Sequence, residues 1–181
     1  MPRKLVKLIH SEIAAQRLTP DAALSAPRHP IIVMLDNVRS LYNVGSVFRT
    51  CDAARVEKLI LTGYTPHPPR KEIAKTALGA IESVPWEYHN DPLIAAMELK
   101  QQGVKIAVLE QTDGSIPYYA LKPNDFPLCI IAGNEISGVR RELVEIADIA
   151  FEIPMYGVKH SLNVAVACGI AVFGAVRTVG K

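Results

Sequence analysis

The segment IPMYGVKHSLNVAVACGIAVFGAVR, residues 153–177, joins a polar loop to the longest apolar run in the chain. We expect Ser161 to cap the helix that follows, and a helix that is apolar all the way round is one buried on every side. Asn163 is then the anomaly, because a buried Asn must find hydrogen-bond partners, either in the helix end or in a ligand. Two polar residues beside a glycine-bearing loop favour a ligand site.

Upstream of this segment, short apolar runs alternate with helical patterns. The predicted strands cover residues 31–36, 58–63, 84–88, 105–110, 128–133 and 149–153. The predicted helices cover residues 43–54, 71–79, 91–102 and 139–147, followed by the closing helix. Buried strands alternating with helices indicate an α/β fold, a mostly parallel sheet with helices on both faces. Ligands usually bind beyond the carboxyl ends of such strands, so we expect a site in the loops after Asp36, Gly63, Glu110, Gly133 and Ile153.

The first 28 residues are more basic than the rest of the chain. Five basic residues there stand against two acidic ones, whereas the whole 181-residue chain has a formal net charge of only +2. Helical spacing of apolar residues predicts a leading amphipathic helix; these residues are Leu5, Leu8, Ile9, Ile13 and Leu18. We interpret residues 1–29 as a basic N-terminal helical extension and residues 30–181 as one domain. The extension is either an RNA-facing arm or a solvated amphipathic helix.

The cysteines and the apolar segments argue against several classes of protein. Cys51, Cys129 and Cys168 lack the spacing of a metal site and fall in apolar patterns, so we expect buried thiols and no metal. The first residues are too charged for a signal peptide, and the longest apolar run is too short to span a bilayer. We therefore expect a cytoplasmic protein with no membrane partner.

The first polar loop leads into a helix in DNVRSLYNVGSVFRTCDA, residues 36–53. Apolar residues at helical spacing form its core stripe, and Arg49 lies off that stripe. Its neighbours one turn back, Gly45 and Ser46, are small and leave space around the guanidinium. Asn43 stands where an Asn commonly caps a helix. The alternative interpretation is a capped helix with a solvated arginine.

The second loop follows the buried strand in LCIIAGNEISGVRREL, residues 128–143. Its G-x-x-x-x-G pattern begins like a nucleotide-binding P-loop, but Val139 and Arg140 stand where that motif requires Lys and then Ser or Thr. A glycine turn that carries Asn134 and Glu135 remains. It either holds a polar ligand through its backbone N–H groups or is a plain strand-to-helix turn.

Three motifs, in this order and at this spacing, resemble those of the SpoU/TrmH family of the SPOUT superfamily. The first, N-x-G-x-x-x-R-[TS], is matched by Asn43, Gly45, Arg49 and Thr50. The second, G-N-E-x-x-G, is matched by Gly133, Asn134, Glu135 and Gly138. The third, I-P-M-x-G-x-x-x-S-L-N-V-[AS]-x-A, is matched by Ile153, Pro154, Met155, Gly157, Ser161, Leu162, Asn163, Val164, Ala165 and Ala167. The resemblance covers roughly residues 30–178 and implies a SPOUT methyltransferase domain with a C-terminal trefoil knot.

The resemblance also implies a reaction and its site. Such enzymes transfer a methyl group from S-adenosylmethionine to a ribose 2′-hydroxyl of RNA and release S-adenosylhomocysteine. By this resemblance, the cofactor-binding residues are Leu109, Gly133, Ile153, Met155, Ser161 and Leu162. The catalytic residues it implies are Arg49, Asn43, Glu135, Ser161 and Asn163. Family members are homodimers, and family precedent supplies the arginine at the reacting hydroxyl from the partner subunit.

A proline-rich loop between the second and third strands carries a basic cluster. Arg70, Lys71 and Lys75 follow three prolines, and basic residues of this kind commonly contact RNA phosphates. We interpret them as an RNA-binding edge; an exposed polar loop is the alternative.

Two other functions compete with the enzyme. A non-catalytic RNA-binding member of the same fold would not need to keep all five catalytic residues. A Rossmann or flavodoxin-like nucleotide-binding protein is disfavoured because no G-x-G-x-x-G follows the first strand. Some relatives carry a separate amino-terminal RNA-binding domain, whereas about 30 residues precede the first predicted strand here. We therefore expect tRNA rather than rRNA as the substrate.

Overall fold

The computed structural model describes residues 5–180, which contain a seven-stranded sheet. The strands are β1 (His29–Asp36), β2 (Val56–Thr62), β3 (Trp86–His89), β4 (Lys105–Leu109), β5 (Ile116–Pro117), β6 (Leu128–Ala132) and β7 (Ile149–Glu152). Their order is β3-β2-β1-β6-β4-β7-β5, and all neighbouring pairs are parallel. The predicted α/β sheet is confirmed. The two-residue β5 was not predicted, because so short a strand leaves no periodicity in the sequence.

Helices cover both faces of the sheet, as the sequence predicts. They are α1 (His10–Ala14), α2 (Pro20–Ser25), α3 (Leu41–Ala53), α4 (Lys71–Ala77), α5 (Ala80–Ser83), α6 (Pro92–Gln101), α7 (Arg141–Ile146) and α8 (Val164–Val179). Alternate residues of β1 face opposite sides. Ile31 and Val33 pack in a core with α3 and α8, whereas Ile32 and Met34 pack in a second core with α6 and α7. Burial on both faces explains the unbroken apolar run of this strand.

The central strands β1, β6 and β4 bring distant loops together. Leu35 in β1 pairs with Ala132 in β6, and Val108 in β4 pairs with Ile131 in β6. Because the strands are parallel, the loops that follow them lie at one edge of the sheet. The trefoil knot implied by the family resemblance stays a prediction.

The three cysteines are buried, as predicted, and lie in both cores. Burial raises the pKa of the Cys168 thiol to about 12, so this thiol is protonated at neutral pH. Among residues 5–180, no helix is long and apolar enough to cross a membrane. The expected cytoplasmic location stays a prediction.

The N-terminal extension differs from the predicted amphipathic helix. Within residues 5–18 the chain is helical only from His10 to Ala14, and none of the helical residues is buried. Leu5 is 93% exposed and Ile9 is 64% exposed, because no other part of residues 5–180 covers them. A helix this short gains little without tertiary packing. Arg3 and Lys4, two of the basic residues, lie outside the described residues.

One basic residue of the extension has a structural role. The Arg28 guanidinium donates hydrogen bonds to the backbone carbonyl oxygens of Ala23, Val56 and Ser83, at 3.3, 3.2 and 2.8 Å. Arg28 thereby ties the extension to β2 and to the end of α5. It is committed to these contacts and is not a free cation for RNA. The division into an extension and one domain stays a prediction.

Two expectations for the closing helix are wrong. Asn163, not Ser161, is the N-cap of α8; its side-chain oxygen accepts hydrogen bonds from the backbone N–H groups of Ala165 and Val166, at 2.9 and 3.4 Å. The helix is also not buried on every side. Val166 is 52% exposed and Phe173 is 49% exposed, and residues seven apart share one face of a helix. Apolar composition alone could not separate a core face from an uncovered one.

The space that the sequence suggested beside Gly45 is occupied. Gly45 is buried, and a Cβ there would collide with the Thr76 hydroxyl and with the backbone carbonyl of Ile73. The glycine therefore lets α3 and α4 pack backbone to backbone. It does not make room for the Arg49 guanidinium.

Replacement of Gly45 by alanine should destabilise the protein. Overpacking costs about 1–3 kcal/mol, and each kcal/mol lowers the melting temperature by about 2–4 °C in a domain of this size. Thermal unfolding followed by circular dichroism measures the change. The matched control is Gly169→Ala in α8, where the nearest contact of a new Cβ is the Thr50 hydroxyl at 3.9 Å. A Gly45→Ala variant that melts at or above the wild-type temperature would contradict the packing argument.

Candidate active site

A cavity of about 450 Å³ lies at the carboxyl ends of β4, β6 and β7. Its walls come from three loops, those that follow Leu109, Ala132 and Glu152. All six residues that the resemblance implies for the cofactor line this cavity: Leu109, Gly133, Ile153, Met155, Ser161 and Leu162. The glycine loop and the third motif, which begin 20 residues apart in sequence, thus share one site.

The glycine loop is a tight hairpin. The backbone groups of Asn134 and Gly138 exchange two hydrogen bonds, at 3.0 and 2.9 Å. The Asn134 side-chain oxygen accepts from the N–H groups of Ile136 and Ser137, which fixes the turn. A Cβ on Gly133 would collide with the backbone of Gly138, so the crossing of the two chain segments requires glycine.

Glu135 ties this hairpin to the start of α3. Its carboxylate accepts hydrogen bonds from the backbone N–H groups of Arg39 and Ser40, at 3.1 and 3.2 Å, and from the Asn43 side chain at 3.0 Å. Partial burial raises the pKa of Glu135, but these hydrogen bonds together outweigh it and hold the pKa below its usual value. Glu135 is therefore a carboxylate at neutral pH.

Asn43 extends this contact to the closing helix. Its side-chain nitrogen donates to Glu135, and its side-chain oxygen accepts a hydrogen bond of 3.1 Å from Asn163. One chain of hydrogen bonds therefore joins the first, second and third motifs. Sequence reasoning predicted Asn43 as a helix cap, but the side chain that caps α3 belongs to Ser40. Because Asn43 does not cap α3, its side chain can link the second and third motifs.

An ion pair with one buried partner supports the same loops, and sequence reasoning missed it. Asp36 ends β1 and is 1% exposed; its carboxylate contacts Arg140 Nε at 3.1 Å and accepts from the Arg140 N–H at 3.1 Å. Burial raises the pKa of Asp36, because desolvation outweighs the contacts with Arg140. An acidic residue at the end of an apolar run was the sequence feature that could have indicated this ion pair.

The third motif loop is held across the cavity. The Gln111 side chain donates a hydrogen bond of 2.6 Å to the backbone carbonyl of His160. Ser161 and Leu162 follow and line the cavity, and Ser161 is exposed.

Three carboxylates also line the cavity, and they belong to Glu110, Glu135 and Glu152. The site therefore combines apolar walls with negative charge.

Arg49 does not line this cavity. It lies with Lys75, Thr76 and Phe173 around a second hollow of about 480 Å³, between α3, α4 and α8. Arg70 and Lys71 are exposed at the start of α4, and neither forms an ion pair with the described residues. Of the five residues implied for catalysis, three are hydrogen-bonded to one another and Ser161 lines the cavity. Arg49 stands apart within one chain.

A family model agrees with the motifs and their geometry. The model of the SpoU rRNA methylase family matches residues 30–173, which include all three loops. The chain belongs to the SpoU rRNA methylase family. The family membership that the motifs predicted is therefore confirmed.

Named relatives of this SpoU-family chain act on two kinds of RNA. The tRNA (guanosine(18)-2′-O)-methyltransferase of Aquifex aeolicus is 35% identical over 81% of this chain and 69% of its own length. The 23S rRNA (guanosine-2′-O-)-methyltransferase RlmB of Vibrio vulnificus is 34% identical over 87% of this chain and 63% of its own length. The 23S rRNA (guanosine(2553)-2′-O)-methyltransferase RlmP of Bacillus subtilis is 33% identical over 90% of this chain and 63% of its own length. This chain thus spans about two thirds of the relatives' lengths.

Solved structures of SpoU-family proteins have the same fold. The TrmH/SpoU tRNA modifying enzyme of A. aeolicus superposes with a TM-score of 0.77 at 33% identity, over 86% of this chain and 78% of that chain. The AdoMet-bound rRNA methyltransferase of Sinorhizobium meliloti superposes with a TM-score of 0.75 at 30% identity, over 90% of this chain and 61% of that chain.

Replacement of Glu135 by glutamine should destabilise the protein in a pH-dependent way. The pKa of this carboxyl is lowered on folding, so its stabilising effect is full above its usual value of 4.5 and is lost as the pH falls through the lower folded-state pKa. The difference in free energy of unfolding between wild type and Glu135→Gln should be largest at neutral pH and shrink in acid. Urea unfolding at several pH values measures it.

The matched control is Glu98→Gln on α6, whose carboxylate makes no hydrogen bond or ion pair with the described residues. It should change stability little at any of these pH values. A pH-independent difference for Glu135→Gln would show that the charged carboxylate is not what holds the loops.

Proposed function

We propose that this chain transfers a methyl group from S-adenosylmethionine to a ribose 2′-hydroxyl of RNA and that tRNA is its preferred substrate. The observation that carries the proposal is the hydrogen-bonded set Glu135, Asn43 and Asn163 beside a cavity lined by the second and third motifs. Membership of the SpoU family and the names of its relatives support the reaction.

The cavity fits the methyl donor. Its volume of about 450 Å³ lies in the range of small-molecule sites. Leu109, Met155 and Leu162 offer apolar contacts for an adenine, while the three glutamates suit a cationic ligand. Gly133, Ile153 and Ser161 offer backbone groups at the same wall. When bound, S-adenosylmethionine supplies a reactive methyl on a sulfonium, and the protein's task is orientation.

Arg49 acts as a fixed cation in this proposal. A guanidinium stays protonated at ordinary pH, so it is a poor general base. Beside the reacting 2′-hydroxyl it stabilises the negative charge that develops as the oxygen loses its proton, and it can also hold the adjacent phosphate.

The other four residues orient the reactants. Asn163 and Asn43 are already aligned by their bonds to each other and to Glu135, so they meet a nucleotide without reorganisation. Ser161 has an exposed hydroxyl at the cavity wall, which is available to a ligand.

A homodimer completes the site in this proposal. Arg49 lies outside the cavity of its own chain, in a hollow bordered by the exposed Phe173 of α8. Val166 and Phe173 give α8 an uncovered apolar face that suits a second copy. We assign the active arginine of each cavity to the partner subunit.

The basic residues at α4 bind the RNA backbone in this proposal. Arg70, Lys71 and Lys75 are exposed, and Lys75 shares a hollow with Arg49. Phosphate contacts from such residues set register and affinity, so the cluster would hold the RNA backbone that flanks the reacting nucleotide.

Replacement of Arg49 by alanine should lower methyl transfer by about a hundred- to a thousandfold, as expected for loss of a group that stabilises developing charge. Affinity for S-adenosylmethionine should stay near that of wild type, because in this proposal Arg49 contacts the reacting hydroxyl and the phosphate and not the cofactor. Radiolabelled methyl transfer and isothermal titration calorimetry measure the two effects. Unchanged turnover would remove Arg49 from the mechanism.

Subunit mixing tests whether Arg49 acts across the dimer. Arg49→Ala has an intact cavity, and Met155→Trp has an intact Arg49 but an obstructed cavity. Each variant alone should be inactive. A mixture should regain activity only if one subunit's arginine serves the other's cavity. An inactive mixture that native mass spectrometry shows to contain heterodimers would contradict the assignment.

The preferred RNA can be identified by methylation of total tRNA and of rRNA from a strain that lacks the enzyme. We expect label in tRNA, mapped to one nucleotide by its resistance to alkaline cleavage. Label confined to rRNA would support the proposed reaction but would show that rRNA, not tRNA, is the substrate. Binding of RNA and cofactor without methyl transfer would instead favour a non-catalytic RNA-binding member of the fold.

A further inference from the structure

An exposed aromatic surface lies at the β3 edge of the sheet, outside the proposed active site. The His67 ring packs on Tyr88 with a centroid distance of 4.8 Å and stacks on Trp86 at 6.4 Å. His67 and Tyr88 are exposed, and Tyr64, in the turn after β2, is 87% exposed. We call Tyr64, His67 and Tyr88 the aromatic surface. Large exposed rings grouped in this way typically mark a binding site.

The fold holds the His67 and Tyr88 rings in place. Trp86 and Tyr88 alternate with Glu87 along β3 and therefore share one face of the strand. Trp86 is anchored in the core by an edge-on contact with Phe48, at a centroid distance of 6.1 Å. The Tyr88 hydroxyl donates a hydrogen bond of 2.8 Å to the Gly63 carbonyl. Rings that are fixed before a ligand arrives bind it at a lower entropic cost.

Hydrogen bonds through one residue connect the aromatic surface to the proposed active site. The Asn37 side-chain oxygen accepts from the Tyr64 N–H at 2.8 Å, and the Asn37 carbonyl accepts from the Asn134 side chain at 2.8 Å. Asn37 thus lies between the Tyr64 turn and the glycine loop. β2 and β6 flank β1, so their ends are about 10 Å apart at the usual strand spacing. A nucleotide that flanks one in the active site can reach the rings.

Two exposed basic residues lie close to His67 along the chain. Arg70 and Lys71 follow His67 after two prolines, are exposed and form no ion pair among residues 5–180. Aromatic rings next to cations are the combination that binds unpaired RNA, because bases stack on the rings while the cations contact the phosphates. A duplex cannot use such rings, because its bases are already stacked.

We propose that unpaired bases of the RNA substrate, on the side of the methylated nucleotide nearer β3, stack on Tyr64, His67 and Tyr88. This inference rests on the proposed function, since it assigns the same RNA a second point of contact. The aromatic surface would select a loop or single strand over a helix. Tyr64 is the ring least involved in the protein's own packing, so it is the one to replace.

The test compares Tyr64→Leu, which removes the ring, with Tyr64→Phe, which keeps it. The probes are a single-stranded decaadenylate and a blunt ten-base-pair RNA duplex. Loss of one stacked base should weaken binding of the single strand by about five- to a hundredfold in Tyr64→Leu. Tyr64→Phe should bind as wild type does, and the affinity of all variants for the duplex should be unchanged. Trp86 is the sole tryptophan of the chain, so its fluorescence reports binding beside His67.

Tyr119→Leu is the matched control, since Tyr119 is 50% exposed and lies on a 3₁₀ turn (Tyr118–Ala120) far along the sheet at β5. Its affinity for the single strand should equal that of wild type. On the RNA that the enzyme methylates, Tyr64→Leu should raise KM by the same factor and leave kcat nearly unchanged.

Three results would each overturn the proposal. Tyr64→Leu could bind the single strand as tightly as wild type does, or it could lose duplex binding by the same factor. Wild type could also fail to bind the single strand at all. Failure of the proposed function gives a different result. In that case wild type transfers no methyl group, while ring-dependent binding of the single strand persists.

Discussion

The carboxylate of Glu135 accepts hydrogen bonds from two backbone N–H groups and one side chain in the segment that begins α3. Without it, the N–H groups of Arg39 and Ser40 and the Asn43 side-chain nitrogen would lose this acceptor where the first motif meets the glycine hairpin. Charge-assisted bonds of this kind are stronger than neutral ones and impose a geometry. The contact therefore sets where α3 starts, and through Asn43 it also sets where α8 starts. The site's loops are positioned by one another.

Two further contacts make the arrangement possible. Gly133 lets two backbone segments cross where a side chain would collide, and Asp36 holds the far end of the hairpin through Arg140. The hairpin is thus restrained at its far end by the carboxylate of Asp36 and at its turn by its own Glu135 carboxylate, which bonds to the segment that begins α3. A loop restrained in this way keeps a cavity open for a ligand.

Much of this could be predicted from the sequence, because the signals were local. Strands buried on both faces leave unbroken apolar runs, and the three motifs name the loops that meet at the cavity. The errors arose where partners come from elsewhere in the chain. Gly45 was interpreted by its neighbours on α3, whereas α4 decides its role. Ser161 and Asn163 are both good caps, and only the loop's path selects Asn163. The partner of Asp36 lies 104 residues away and leaves no local pattern.

The distribution of charge and exposed apolar area follows from the same topology. The cavity at β4, β6 and β7 carries glutamates, whereas the cations Arg49, Arg70 and Lys75 lie on α3 and around α4. A cationic methyl donor and an anionic RNA require opposite surroundings, and the central β1 separates the two regions. Methyl transfer joins the two ligands at one oxygen, and in the proposed homodimer Arg49 of one subunit brings its cation to the cavity of the other. Asn43 on α3 bonds both to the glycine loop and to the cap of α8, so it lies beside that meeting point.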